Sequence, residues 1–289
     1  MTEHQKGVFA IVVVAIAFAS MGIFVRFLGD SLELFQQTYL RIGLAALIGA
    51  VVFRRYLDIS RARSAPVREW AIVIFRAVML YGAVALFTAG ILHTKYANVS
   101  IVAMVPLMPL FGYFLLGEHM NARKISYVLT GFAGVILVAL NGIGTFSWGV
   151  GETYALLSAL CFDMSYVARK WQSDHFSNKQ TTVLMLFIGA MFLLCFSVFV
   201  GEGAPRMSTL GLAAALSLLA SAAFNVFHLY YSNYGFERIS VTLAGQLLML
   251  EVPVALLYGV VLYGEFPVLR ELLGGALIVW SAWQMNKIA

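Results

Sequence analysis

PLMPLFGYFLLGE at residues 106–118 and PVALLYGVVLYGE at residues 253–265 are two apolar segments, each opening on a proline and closing twelve residues later on Gly-Glu. They are the clearest trace of an internal repeat, the pattern to settle before any other fold reasoning. The same offset of 147 also sets Ala97 on Ala244 and Val105 on Val252. A slightly smaller offset, 144, sets Gly7 on Gly151, Phe18 on Phe162, Arg26 on Lys170, Gln36 on Gln180 and Thr38 on Thr182. The first half of the chain is therefore written again in the second.

Working outward from these segments, the whole chain reads as a series of membrane spans. It is 61% hydrophobic and 11% charged, with a mean hydropathy of +0.87. A soluble domain is about half apolar and about a quarter charged, so most of this surface must face lipid. A span takes about 20 apolar residues, and ten such runs are present: 7–28, 34–53, 70–92, 97–116, 125–141, 149–168, 180–200, 209–231, 242–262 and 267–285. In hydrocarbon the backbone must satisfy its own hydrogen bonds, so each run predicts a helix. Five spans per copy is an odd number, so the second copy crosses the membrane with opposite polarity. The expected fold is an all-α polytopic membrane protein of ten transmembrane helices, as two inverted five-helix repeats, residues 1–144 and 145–289. Inverted repeats are a transporter architecture.

Orientation follows from the basic residues. Of the 19 lysines and arginines, thirteen fall in the segments on the side of the N-terminus. Lys95, Arg206 and Arg270 fall on the other side, and Arg26, Arg41 and Arg76 lie within spans. The positive-inside bias predicts an inner-membrane protein with both termini cytoplasmic. It also accounts for the net charge of +5 without nucleic acid. The segment from Lys6 to Ala19 imitates a cleavable signal peptide, but its apolarity continues to Leu28 and the repeat requires it, so it is expected to be retained as a span. Cys161 and Cys195 both sit in apolar runs and read as inert core thiols.

The paired motifs resemble the drug/metabolite transporter superfamily, specifically its EamA-type ten-helix branch. The resemblance is carried by the units ending in Gly117-Glu118 and Gly264-Glu265, by Gly131, Gly134, Gly274 and Gly275 in the helices that follow, by Arg26 and Lys170 at the ends of helices 1 and 6, and by Arg41. It covers nearly the whole chain and implies secondary transport, often export, of amino acids or related metabolites. The copies differ: Arg41 falls on Met185, Met104 falls on Glu251, and Gly131 follows Glu118 by thirteen residues whereas Gly274 follows Glu265 by nine.

Charges inside a bilayer are costly and usually face an interior cavity. Arg41 lies roughly 10 Å from the outer end of helix 2 at 1.5 Å per residue. It reads either as a forked clamp for a substrate carboxylate or phosphate or as one half of a structural pair. Glu251 lies near the middle of helix 9. Burial disfavours the charged form of a lone carboxylate, so Glu251 could carry a proton, bind a substrate ammonium group, or form a permanent ion pair with Arg41 or Arg76. His228 falls on Tyr81 under the repeat, with Asn225 one turn away; the three could line a polar pocket or only hydrogen-bond between helices. Pro106 and Pro253, with Glu118 and Glu265, read as hinge, capping or gating residues, because a proline breaks the helical hydrogen-bond ladder. Arg76 is expected to snorkel to the cytoplasmic surface, Asp163 to bridge to Arg169 or Lys170, and Glu152 to sit at the outer interface. Arg26 either guards the outer mouth or anchors the helix end. Trp70, Trp148, Trp171 and Trp283 read as interfacial anchors.

Other classes are weighed against these residues. An intramembrane enzyme would need a catalytic constellation, and the sequence contains no His-Glu-x-x-His motif and no assignable Ser-His-Asp or Cys-His set. A channel would show repeated filter motifs, and a pump a phosphate-binding Gly-x4-Gly-Lys loop; neither is present. The expectation is a secondary active transporter rather than an enzyme. It would move small polar metabolites, with amino acids or related carboxylates favoured, by alternating access, possibly proton-coupled. It would use no cofactor and no metal. Its partners would be the metabolite and the lipid bilayer, as a monomer or homodimer.

Overall fold

The computed structural model describes residues 1–29, 32–94, 96–139, 148–205, 211–264 and 266–288, apart from the side chains of 21–29, 96, 97, 100 and 263. Among the described residues the chain is helical without strands. The α-helices are α1 (Glu3–Gly29), α2 (Leu34–Val52), α3 (Ile59–Arg63), α4 (Val67–His93), α5 (Tyr96–Ala103), α6 (Leu107–Leu116), α7 (Ala122–Ala139), α8 (Val150–Val167), α9 (Asn178–Val200), α10 (Leu212–Arg238), α11 (Val241–Leu248), α12 (Glu251–Tyr258) and α13 (Leu269–Ile288). Seven described segments are long and apolar enough to cross a membrane, the last being residues 241–262, and Ile101–Leu116 is apolar but shorter. α8 and α13 cover two further apolar runs but carry more polar residues. Leu47, Phe114, Phe187, Phe199 and Val261 stand exposed on the outside of the bundle, as a lipid-facing surface requires.

The helices pack in pairs: α1 along α10, α4 along α8, α2 along α9, and α7 along α13. In lipid, close backbone approach replaces the hydrophobic drive, and small residues permit it. At the α7–α13 crossing a side-chain carbon on Gly134 would meet the Gly274 carbonyl oxygen at 2.6 Å, and the reverse substitution would meet the Gly134 oxygen at 2.6 Å. Both termini lie at one end of the bundle, where His4 Nε2 and Asn286 Oδ1 are 3.1 Å apart. That end also holds the connection between α2 and α4. There Asp58 caps α3 by accepting from the Arg61 backbone N–H at 3.0 Å and the Ser60 hydroxyl at 2.7 Å. These donors hold its carboxyl below the usual range.

Two of the long apolar segments are broken near their middles. The first breaks at Met104–Pro106, between α5 and α6, and the second at Met249–Leu250, between α11 and α12. Pro106 is the residue at which α6 starts. Pro109 and Pro253 are each the third residue of the half-helix that follows, where the missing N–H has no intrahelical partner to lose. The second break thus lies just upstream of Pro253, and Met249 O accepts from Val252 N at 3.1 Å across it. The Gly-Glu ends have a backbone reason. Gly117 and Gly264 both adopt φ of 67°, the left-handed conformation that ends a helix and that other residues resist. Beyond Gly117, Glu118 N donates to Gly112 O at 2.9 Å.

Candidate functional site

The interior between the helix pairs is polar where the sequence places its intramembrane charges. Arg41, on α2, is 8% exposed, and its Nε and Nη1 have no hydrogen-bond partner among the described residues. It lies within electrostatic reach of Tyr81 on α4, a buried residue whose ring is packed against Gly189 of α9. Tyr81 in turn neighbours Tyr166 on α8. The Tyr166 hydroxyl is 3.4 Å from His228 Nε2, and its ring stacks on Phe236 with centroids 4.5 Å apart. Tyr166 is also within electrostatic reach of Arg76, Asp163 and Glu251. It is the hub of the interior, and the sequence reading missed it because a tyrosine in an apolar helix resembles a core residue. The available signal was its place one turn after Asp163, on the same helical face.

Several placements differ from expectation. Glu251 opens α12 and forms no ion pair with Arg41 or Arg76; the salt bridges among the described residues lie elsewhere. Arg76 does not snorkel. It is fully buried, and its guanidinium donates to Ser165 O at 3.1 Å, Gln172 Oε1 at 2.6 Å and Asn233 Oδ1 at 2.5 Å. Asp163 does not bridge to Arg169 or Lys170. It faces the Met108 backbone N–H at the start of α6, while Arg169 pairs with Glu237 at 3.1 Å. Glu152 stands at the helix end expected of it, in the first turn of α8, but its side chain is covered there, accepting from Thr94 Oγ1 at 2.6 Å and Asn98 Nδ2 at 2.9 Å. Asn225 donates to Ser221 O of its own helix at 2.7 Å. His228 is packed edge-on against Phe18, centroids 4.1 Å apart. Glu265 and the side chain of Arg26 lie outside the described residues.

Glu118 reaches across the molecule. Its carboxylate accepts from Val241 N at 2.6 Å, Thr242 N at 3.1 Å and Thr242 Oγ1 at 2.7 Å, capping α11. A carboxylate at a helix N-terminus satisfies backbone donors and complements the helix dipole. A like contact stands at the opposite end, where Glu202, beyond the left-handed Gly201, accepts from Phe35 N of α2 at 2.9 Å and from Ser197 Oγ at 2.6 Å. Replacing Glu118 by Ala is expected to cost about 1–2 kcal/mol, seen as a Tm lowered by a few degrees in detergent. An unchanged Tm would mean that the cap contributes nothing to this conformation.

The sequence profile of the EamA-like transporter family matches residues 5–140 and again residues 149–286. The chain belongs to this family. This EamA-like transporter is 26% identical over 285 residues to a protein of Archaeoglobus fulgidus named an uncharacterized transporter, covering 97% of each chain. It is also 26% identical to a probable terminal-alkyne amino-acid exporter of Streptantibioticus cattleyicolor, over 98% of this chain and 94% of that one. One solved crystal structure, 18% identical, superposes on the EamA-like chain with a TM-score of 0.82 over 99% of this chain and 98% of the other; a likeness at that identity shows the fold alone.

Proposed function

We propose that this EamA-like protein is a secondary carrier of small carboxylate-bearing metabolites, amino acids favoured, working by export or exchange through alternating access. The observation that carries this reading is Arg41, a buried guanidinium whose Nε and Nη1 have no partner among the described residues. A charge left so in a low-dielectric interior is costly unless something else binds it. A carboxylate matches its fork. Glu251, half-buried at the start of α12 within electrostatic reach of Tyr166 and without an ion-pair partner among the described residues, is the candidate for the proton or for a substrate ammonium group, and Tyr81, Asn225 and His228 for the remaining polar edges. Glu118 and Glu265 would gate, and Pro106 and Pro253 would serve as hinges. The amino-acid exporter among the relatives favours the same cargo class.

The mechanism rests on ten transmembrane helices in two inverted halves, residues 1–144 and 145–289. Helix pairing supports it. If the halves exchange, α1 maps onto α8 and α4 onto α10, so the α1–α10 and α4–α8 pairs become each other's images. The α2–α9 and α7–α13 pairs map onto themselves. Seven crossings would leave the termini at opposite ends, whereas His4 and Asn286 meet, as an even number requires. The basic residues favour the inner membrane with both termini cytoplasmic. The protein would act without cofactor or catalysis, as a monomer or homodimer in the bilayer.

Counterflow in proteoliposomes tests the reading. Vesicles loaded with unlabelled amino acids and organic acids should take up labelled members saturably. No exchange by a folded preparation, extended to nucleosides and cationic drugs, would end the transport reading. Replacing Glu251 by Gln should abolish the response of exchange to a pH gradient without unfolding the protein. A pH-driven response that survives the substitution would remove Glu251 from coupling.

A further inference from the structure

The face of α2 that carries Arg41 holds a second unanswered group. The helix's other sides are occupied: Phe35 packs edge-on against Phe196 with centroids 5.0 Å apart, Gln36 donates to Gly203 O at 2.9 Å, and Leu40 and Leu44 pack on Ala214 and Leu218. Gln37, one turn before Arg41, is 3% exposed, and its Oε1 has no hydrogen-bond partner among the described residues. Residues four apart on a helix stand about 5–6 Å from each other at Cβ. A buried acceptor and a buried cation at that spacing, neither satisfying the other, each carry an unpaid desolvation penalty. They are complementary to one molecule that presents an anionic acceptor and an N–H donor on neighbouring atoms. An α-amino acid does so, with its carboxylate and ammonium on a single carbon. A plain carboxylic acid answers Arg41 and leaves Gln37 unsatisfied. A site with such a buried acceptor rejects the analogue that lacks the donor.

We propose that Gln37 reads the α-ammonium group of an amino-acid cargo while Arg41 holds its carboxylate, so that Gln37 selects amino acids over the corresponding deaminated acids. The proposal rests on the reading of Arg41 given above. Its test uses the full chain in proteoliposomes at alkaline pH, following counterflow of labelled L-leucine and L-phenylalanine. The competitors are the unlabelled amino acids and their deaminated skeletons, 4-methylpentanoate and 3-phenylpropanoate.

In the unsubstituted protein the amino acid should compete at a roughly 10- to 100-fold lower concentration than its deaminated partner, the range of one charge-assisted hydrogen bond. In Gln37→Leu that ratio should fall close to one, with the inhibition constant of the deaminated acid no higher than before, which also reports an intact fold and Arg41. Gln37→Glu sets a carboxylate one turn before Arg41, where it pairs with the guanidinium, and should suppress exchange of both classes. Full discrimination retained in Gln37→Leu, or undiminished exchange in Gln37→Glu, overturns the role of Gln37 and leaves the carrier reading standing. If the unsubstituted protein neither exchanges the amino acids nor is inhibited by either class of acid, the carboxylate reading falls and this inference with it.

Discussion

Arg41→Met is expected to remove exchange of the proposed carboxylate cargo, with kcat/KM lowered roughly 100-fold or more, the equivalent of two charge-assisted hydrogen bonds. Methionine is what the second half carries at the matching position, Met185, so the substitution makes the two halves alike. Methionine is two atoms shorter than arginine along the side chain, but it is flexible and adapts to irregular space. Stability should move the other way. Removing a buried charge whose Nε and Nη1 have no partner among the described residues should be neutral or stabilising, so the Tm in detergent should hold or rise while counterflow fails. A structural cation gives the opposite pair of results: a collapsed preparation and no separable transport defect. Measuring both quantities on one purification separates the two roles.

The second large effect concerns packing at the same site. Gly189 lies mid-way along α9, where glycine costs about 1 kcal/mol against alanine. It is retained there against that cost because a side-chain carbon at this position would lie 2.0 Å from Cδ2 and Cε2 of the Tyr81 ring. Tyr81 is 4% exposed and cannot swing aside without displacing its neighbours. Gly189→Ala therefore drives α9 from α4 or expels the ring, at a cost of about 3 kcal/mol or more, the upper range for overpacking. The expected result is a Tm lowered by many degrees, with cargo exchange lost. Combining it with Tyr81→Ala should restore much of the Tm, because the two changes act on one contact. Simple addition of the two losses would show that the glycine serves some other purpose.

Hydropathy exposed the spans because lipid demands little of a helix beyond apolarity. It does not say which face looks inward, since in a membrane the bundle interior and the lipid are about equally apolar. Arg76 shows the limit. Counting residues from the helix end allowed it to reach the surface. The acceptors that hold it, on Ser165, Gln172 and Asn233, lie 89, 96 and 157 residues away. Asp163 was misread for the same reason, as its partner Met108 belongs to another helix, and the groups that cover Glu152, on Thr94 and Asn98, were hidden in the same way. The helix breaks were half legible. Proline marked them, but in the second segment the turn falls at Met249–Leu250, because Pro253 fits the first turn of the half-helix it was expected to interrupt. The repeat was legible because it is written in residue identity. That Arg41 Nε and Nη1 have no partner among the described residues became visible only in three dimensions.

Glu118 and Glu202 resemble the bolts of an airlock, one at each end of the chamber and both shot home in the same conformation. Each bolt is two or three hydrogen bonds, worth about 1–2 kcal/mol as a helix cap, little more than ambient heat withdraws unaided. Doors held this lightly need no engine. Under the alternating access proposed above, each would open as the halves part at its own end, and parting at one end would press the other shut.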